Sequence, residues 1–323
     1  MVGAASQRVE TDNMSLEPMV TQSVRRIWFY SCSVVLVLLL SGVSFLPAQP
    51  SEQYKKNNRD AIALIVDGNY DEAIERLRNQ LNDYENNFVH HHAIYPVDLE
   101  ALFGLAIAYA QKGDMQRSMQ FVNRAINSGL PVGRFLAGPR ELLAPITAHP
   151  EFRNFLEQQD IRLLHGPVLS DVTDTQAEFW VRTAEEVPVE LKVSTSPNLR
   201  PLAAIDTVQT KESRDYTAVL LAANLQPGTR YYYQVSIDGE PHPDLWEFTT
   251  FPASGQPARF SIGFGGGAGF TPWYEYMWNT IADHSPIAFL LLGDNVYIDH
   301  PTYPAVQRYC YYRRQSRTEY RNF

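Results

Sequence analysis

The stretch "LLLGDNVYIDH", residues 290–300, is an apolar run that stops at Gly293 and then sets Asp294, Tyr297, Asp299 and His300 close together. A chain that runs a buried strand up to a carboxylate is presenting that group. In open parallel sheets, ligands bind outside the carboxyl ends of the strands. A second strand candidate, "RFSIGF", ends in the glycine-rich "GGGAGF", so its loop and Asp294 would lie side by side if the two strands are neighbours. The bland alternative is an Asp that caps the following loop. One chemistry for such a pair is nucleotide binding: "GFGGGA", residues 263–268, formally meets the dinucleotide fingerprint, with Asp294 as the ribose acid. That fingerprint needs the helix to open within the glycines, whereas Phe270, Thr271 and Pro272 delay it here. Asp299 and His300 read by default as solvated loop residues. A second set of potential ligands, His90, His91 and His92, is adjacent in sequence and has no acidic or cysteine partner at ligand spacing, which favours a solvated loop.

The elements that must position Asp294 follow from periodicity. "RFSIGF" and "PIAFLLLGD" read as parallel strands, the second apolar on both faces. "TPWYEYMWNTIADH" between them reads as a helix with Thr271 as N-cap and Pro272 at its first position. This is a βαβ unit. Upstream, residues 161–253 have a period of two: in "VELKV", Val189, Leu191 and Val193 face one way, Glu190 and Lys192 the other. Short strands separated by Asn, Asp, Pro and Gly clusters predict a β-sandwich. "NLQPGTRYYYQV" resembles the fibronectin type III pattern around a tyrosine corner, in which Tyr231 would bond upstream backbone. A linker through Pro252, Ser254, Gly255 and Pro257 separates this part from residues 257–323.

Residues 51–160 are helical in pattern. "DGNYDEAIERLRNQL" and "LFGLAIAYAQKGDMQRSMQFVNRAINSGLP" each combine a glycine turn with an amphipathic helix, Gly68 with Ala73 matching Gly113 with Ser118. The second unit resembles a tetratricopeptide repeat, a helix pair packed through small residues. Two imperfect units are marginal alone, so helices around residues 135–156 are expected to complete the layer. Such repeats serve either as a protein-partner surface or as a spacer. Residues 1–50 form a leader: Arg25 and Arg26 precede a mostly apolar run, 27–46, that ends in small residues, which fits a cleaved signal peptide or a retained signal anchor. Both place the protein outside the cytoplasm, with membrane contact only through that run. The net charge of −9 over 323 residues argues against nucleic-acid binding by bulk charge, and two cysteines exclude a disulfide framework.

"GDNVYID" resembles the second metal motif of calcineurin-like metallophosphoesterases, in the Gly-Asp-x-x-Tyr form of purple acid phosphatases and the alkaline phosphatase D family. "HGPVLSDVTDTQAEFWVRT" is similar to the start of that family's N-terminal sandwich, and "RRQSRTEYR" looks like its continuation past the motif. The resemblance covers residues 164–323 and leaves out the leader and the helices. It implies a multidomain chain: tetratricopeptide-like helices, a fibronectin III-like sandwich, then the first βαβ unit of an α/β metallophosphatase domain. It further implies a di-metal centre, iron with calcium or another divalent ion, in which Asp294 bridges the ions and Tyr297 ligates the ferric one. The substrate class would be phosphoesters, hydrolysed by a metal-held hydroxide.

Two departures qualify the resemblance. The ligand that the family places after the first strand falls within residues 265–269, which carry no ligating side chain, and no Asn-His dipeptide occurs anywhere in the chain. The remaining metal ligands have no counterpart, so the chain is expected to be an inactive fragment of a longer phosphatase or the product of a truncated gene. The alternative is a non-catalytic interaction protein that uses the helical repeats and keeps a vestigial phosphatase segment.

Overall fold

The computed structural model describes residues 52–86, 97–159, 161–267 and 275–321. The leader, His90 to His92, Thr271 and Pro272 lie outside the described residues. The compact unit that begins at Pro50 contains all the described elements.

Helices come first in the chain. α1 (Glu52–Val66) and α2 (Tyr70–Asn86) turn at Gly68, and α3 (Leu99–Gln111) and α4 (Met115–Asn127) turn at Gly113. Both glycines are left-handed, φ 80° and 90°, a conformation that costs other residues more. Each turn closes with a hydrogen bond reaching five residues back, Asn69 N–H to the Leu64 carbonyl at 2.8 Å and Asp114 N–H to that of Tyr109 at 2.9 Å. Asp98 starts α3 by accepting from the Glu100 and Ala101 amides. Gly104 lets α3 approach α2: a Cβ there would stand 2.9 Å from Leu77 Cδ1. α5 (Gly133–Ala137), α6 (Arg140–Thr147) and α7 (Pro150–Leu156) add Phe135, Leu143, Ile146 and Phe152 to the same core, as the sequence anticipates.

Two antiparallel sheets follow. β1 (Leu163–Ser170), β2 (Ala177–Thr183) and β5 (Thr217–Ala222) form one, in the order β1-β2-β5. The other runs β4 (Ala204–Gln209), β3 (Pro188–Ser194), β6 (Arg230–Ile237), β7 (Glu240–Pro241), with β8 (Trp246–Thr249) also paired to β6. Val189, Leu191 and Val193 are fully buried with Phe179, Val181 and Leu220 between the sheets. The alternation expected of β3 is therefore realised. Tyr231 is buried, and its hydroxyl oxygen accepts from the Gln226 amide at 2.7 Å, the upstream backbone bond expected of it.

The last part holds β9 (Ile262–Gly265), α8 (Met277–Asp283) and β10 (Ala288–Leu291), with β9 and β10 parallel and Phe264 opposite Leu290. Gly263 faces the Phe289 ring so closely that a Cβ would come within 2.5 Å of it. Trp278 packs edge-on against Phe289 at 5.6 Å and against Tyr320 at 5.4 Å. β10 differs from expectation in one respect. Leu290, Leu291 and Leu292 are exposed, 52%, 47% and 65%, because two strands with one short helix cannot cover both faces of a sheet.

α9 (Pro304–Gln315), followed by α10 (Thr318–Arg321), leaves that sheet and inserts into the helical core, where Val306, Tyr309 and Cys310 are buried beside Phe103 and Arg134. Three segments also meet at Asp215. Its carboxylate takes Arg140 of α6 at 2.8 Å, Arg182 of β2 at 3.0 Å, and the Tyr312 hydroxyl of α9.

Candidate functional site

The loops leaving β9 and β10 lie side by side, as their parallel pairing requires. Leu292 N–H bonds the Gly265 carbonyl at 2.8 Å, and Gly267 N–H bonds the Gly293 carbonyl at 3.2 Å. Gly266 is the point of closest approach: a Cβ there would stand 2.7 Å from the Gly293 oxygen. Residues 265–267, the described part of the stretch in which the resemblance expects a ligand, are all glycine and offer backbone only. Gly293 (φ 119°) and Asp294 (φ 52°) are both left-handed, a region where Asp is tolerated better than most residues because its short side chain bonds locally. Asp294, in that turn just past the strand end, is exposed. Tyr297 is half-buried three residues on.

Asp299 and His300 depart from the solvated-loop reading. Asp299 Oδ2 accepts from Arg59 Nη2 at 3.0 Å, and Arg59 Nη1 donates to the Tyr297 carbonyl at 2.9 Å. His300 Nε2 lies 2.9 Å from Asp60 Oδ1, and Arg76 reaches the other Asp60 oxygen at 3.3 Å. Tyr303 donates to Asp67 at 3.0 Å. Arg59, Asp60 and Asp67 all belong to α1 or its closing turn. In sequence alone nothing sets them apart from a helix's solvated charges; the one local hint is that Arg59 and Asp60 lead directly into the apolar run "AIALIV".

A second ionisable cluster lies inside the helical core. Arg134 donates to both oxygens of Glu100, at 2.7 and 2.9 Å, and Tyr309 donates to Glu100 Oε2 at 2.9 Å. Burial by itself would raise the Glu100 pKa, but the Arg134 charge and hydrogen bonds override it and hold it at about 2. Burial and the neighbouring Glu100 charge push the Tyr309 phenol well up. Glu100 and Arg134 are each 2% exposed, so this cluster seats α9 and is not open to a substrate.

Among the described residues, no group of three or more His, Cys, Asp or Glu side chains could hold a metal ion. One exposed carboxylate and one half-buried phenol do not fit two ions by themselves, since each ion needs several protein ligands.

A family described as a domain of unknown function (DUF7800) matches residues 160–254, the sandwich. The solved structure of PhoD matches at 18% identity over 50% of this chain, TM-score 0.41, and the chain spans only 36% of that protein. The sensor domain of the anti-sigma factor RsgI4 of Pseudobacteroides cellulosolvens, in its solution structure, matches at 15% identity over 26% of this chain and 71% of its own, TM-score 0.23. A redesigned β-sandwich protein matches at 20% identity over 27% and 92%, TM-score 0.20. No curated protein matches the chain.

Proposed function

We propose that the protein carrying this segment hydrolyses phosphoesters, and that Asp294 and Tyr297 are its contribution to a di-metal centre of iron with calcium or another divalent ion. The observation that supports this is one of placement. The Gly-Asp-x-x-Tyr motif leaves β10 directly beside the glycine loop that leaves β9, at the carboxyl ends of two parallel strands, where α/β sheets hold their ligands. The donor set of the described residues is partial, so no catalytic step is assigned to it. What the chain's own residues do is present one carboxylate to solvent at the end of β10 and keep a half-buried phenol three residues on.

The same reading takes the helix pairs turning at Gly68 and Gly113 as tetratricopeptide-like repeats with a protein partner. It takes the sandwich as fibronectin III-like on the strength of the Tyr231 bond. The arginine pair ahead of residues 27–46 supports a location outside the cytoplasm, by signal peptide or anchor.

The test uses the product of the native gene, assayed on an aryl phosphate with added iron and calcium. Loss of even an outer partner of a metal ligand costs 10–100-fold, so Asp294→Asn should lower kcat/KM by at least about 100-fold. Turnover that is metal-dependent but insensitive to Asp294→Asn removes the assignment. Absence of metal-dependent turnover in the native product removes the reading.

A further inference from the structure

The segment carrying Asp294 and Tyr297 is held by α1, at the opposite end of the sequence. It is bounded by two left-handed aspartates, Asp294 at φ 52° and Asp299 at φ 55°. Val296 and Ile298 pack against the helical core, and Arg59 meets the segment at the Tyr297 backbone and at Asp299. That guanidinium forks: one nitrogen donates to the Tyr297 carbonyl, the other to the Asp299 carboxylate. The Arg59 side chain is 0% exposed, whereas Asp299 is 52% exposed. Burying a guanidinium is costly unless its donors are matched, and here a backbone carbonyl answers Nη1 and a carboxylate answers Nη2. The contact His300–Asp60 continues the same seam one residue further on.

We infer that Arg59 is a positioning residue: through its fork the helical layer braces the 294–299 loop, so that Asp294 and Tyr297 are presented in one geometry. The helical layer thereby acts on the candidate site from within its own chain. The brace itself is independent of any ligand; its consequence for catalysis rests on the phosphoesterase reading above.

Hydrogen exchange of the full chain tests the brace. Asp299→Ala removes the exposed partner without opening the core, and Arg59→Lys keeps the charge but cannot reach two acceptors. Both should speed exchange of the 294–300 amides at least about tenfold, the effect of losing ~1.4 kcal/mol of local stability, while α3 amides stay unchanged. Asp299→Asn, which keeps an oxygen in place, should restore most of the protection, and Arg117→Ala on the exposed side of α4 should change nothing in the loop. Aryl-phosphate turnover of the native gene product is the second readout, and Asp299→Ala should lower kcat about tenfold or more. Loop exchange unchanged in both Asp299→Ala and Arg59→Lys overturns the brace whatever the activity. Faster loop exchange in a protein indifferent to Asp294→Asn upholds the brace and sinks the phosphoesterase reading. Faster loop exchange with full turnover in Asp299→Ala, in a protein that Asp294→Asn inactivates, overturns the positioning role alone.

Discussion

His165 should make the chain acid-sensitive well before its carboxylates titrate. It lies in β1, 4% exposed, with Nδ1 2.8 Å from Arg182 Nη1 and its ring 5.8 Å from that of Tyr312. A guanidinium only donates, so Nδ1 accepts and the ring proton sits on Nε2. Burial first, and the Arg182 charge second, push the imidazole down to about 3 from an ordinary 6.5. The folded pKa is depressed, so between those values the unfolded chain binds a proton that the folded chain does not. Stability is then present above pH 6.5 and falls as the pH drops toward 3. At pH 5 the unfolded imidazole is about 1.5 units below its pKa, a loss of ~2 kcal/mol relative to neutral pH. The figure barely changes if the folded value is a unit higher. His165→Asn places an acceptor near the Nδ1 position and cannot titrate. Urea midpoints, measured for both proteins at pH 7.5, 6.5, 5.5 and 5.0, should diverge by that amount, with wild type falling more. Parallel pH profiles would show that the His165 proton equilibrium is the same folded and unfolded, and would refute the argument.

Tyr231→Phe removes one buried hydrogen bond to the Gln226 amide and should cost about 1–2 kcal/mol, read as a lower denaturant midpoint with unchanged m-value. Glu100→Ala leaves the Arg134 charge buried and unanswered, a loss of about 3–5 kcal/mol, and should release α9, seen as faster hydrogen exchange over residues 304–315. In wild type the stabilisation from Glu100 is present above its ordinary pKa of 4.5 and lost as the pH falls toward about 2, a window below that of His165. Gly266→Ala drives a Cβ into the Gly293 carbonyl oxygen, a contact between backbones that no rotamer relieves. It should raise exchange of the 292–294 amides, whereas Gly239→Ala, whose added Cβ meets nothing within 4 Å, should leave them unchanged.

The parts legible in the sequence are those governed by local patterns. Period-two alternation placed Val189, Leu191 and Val193 inside, Gly68 and Gly113 marked turns that need positive φ, and the apolar run ending at Gly293 located a parallel strand with Asp294 at its end. What escaped depends on partners far along the chain. Arg59 and Asp60 look like helix-surface charges until residues 240 positions away reach them. Val306, Tyr309 and Cys310 have helical spacing, but the charged "RRQSR" that follows conceals how deep the helix goes, since Arg313 and Arg314 are buried as well. The burial expected of β10 failed for the opposite reason: an apolar sequence reports a preference for cover, not the presence of it.

The insertion of α9 sets an order of events during synthesis. Glu100 and its partner Tyr309 are 209 residues apart, which at 5–20 residues per second is about 10–40 s of elongation. Until α9 emerges the helical layer has a gap where Val306, Tyr309 and Cys310 belong, bordered by the Glu100–Arg134 pair that Tyr309 contacts. The sandwich core draws on none of these residues, so only its flank at Leu164, His165 and Arg182 waits for Tyr312. A nascent chain therefore carries a second module with a closed core behind an unfinished first one, and the apolar cleft in the first is the surface that a holdase would meet.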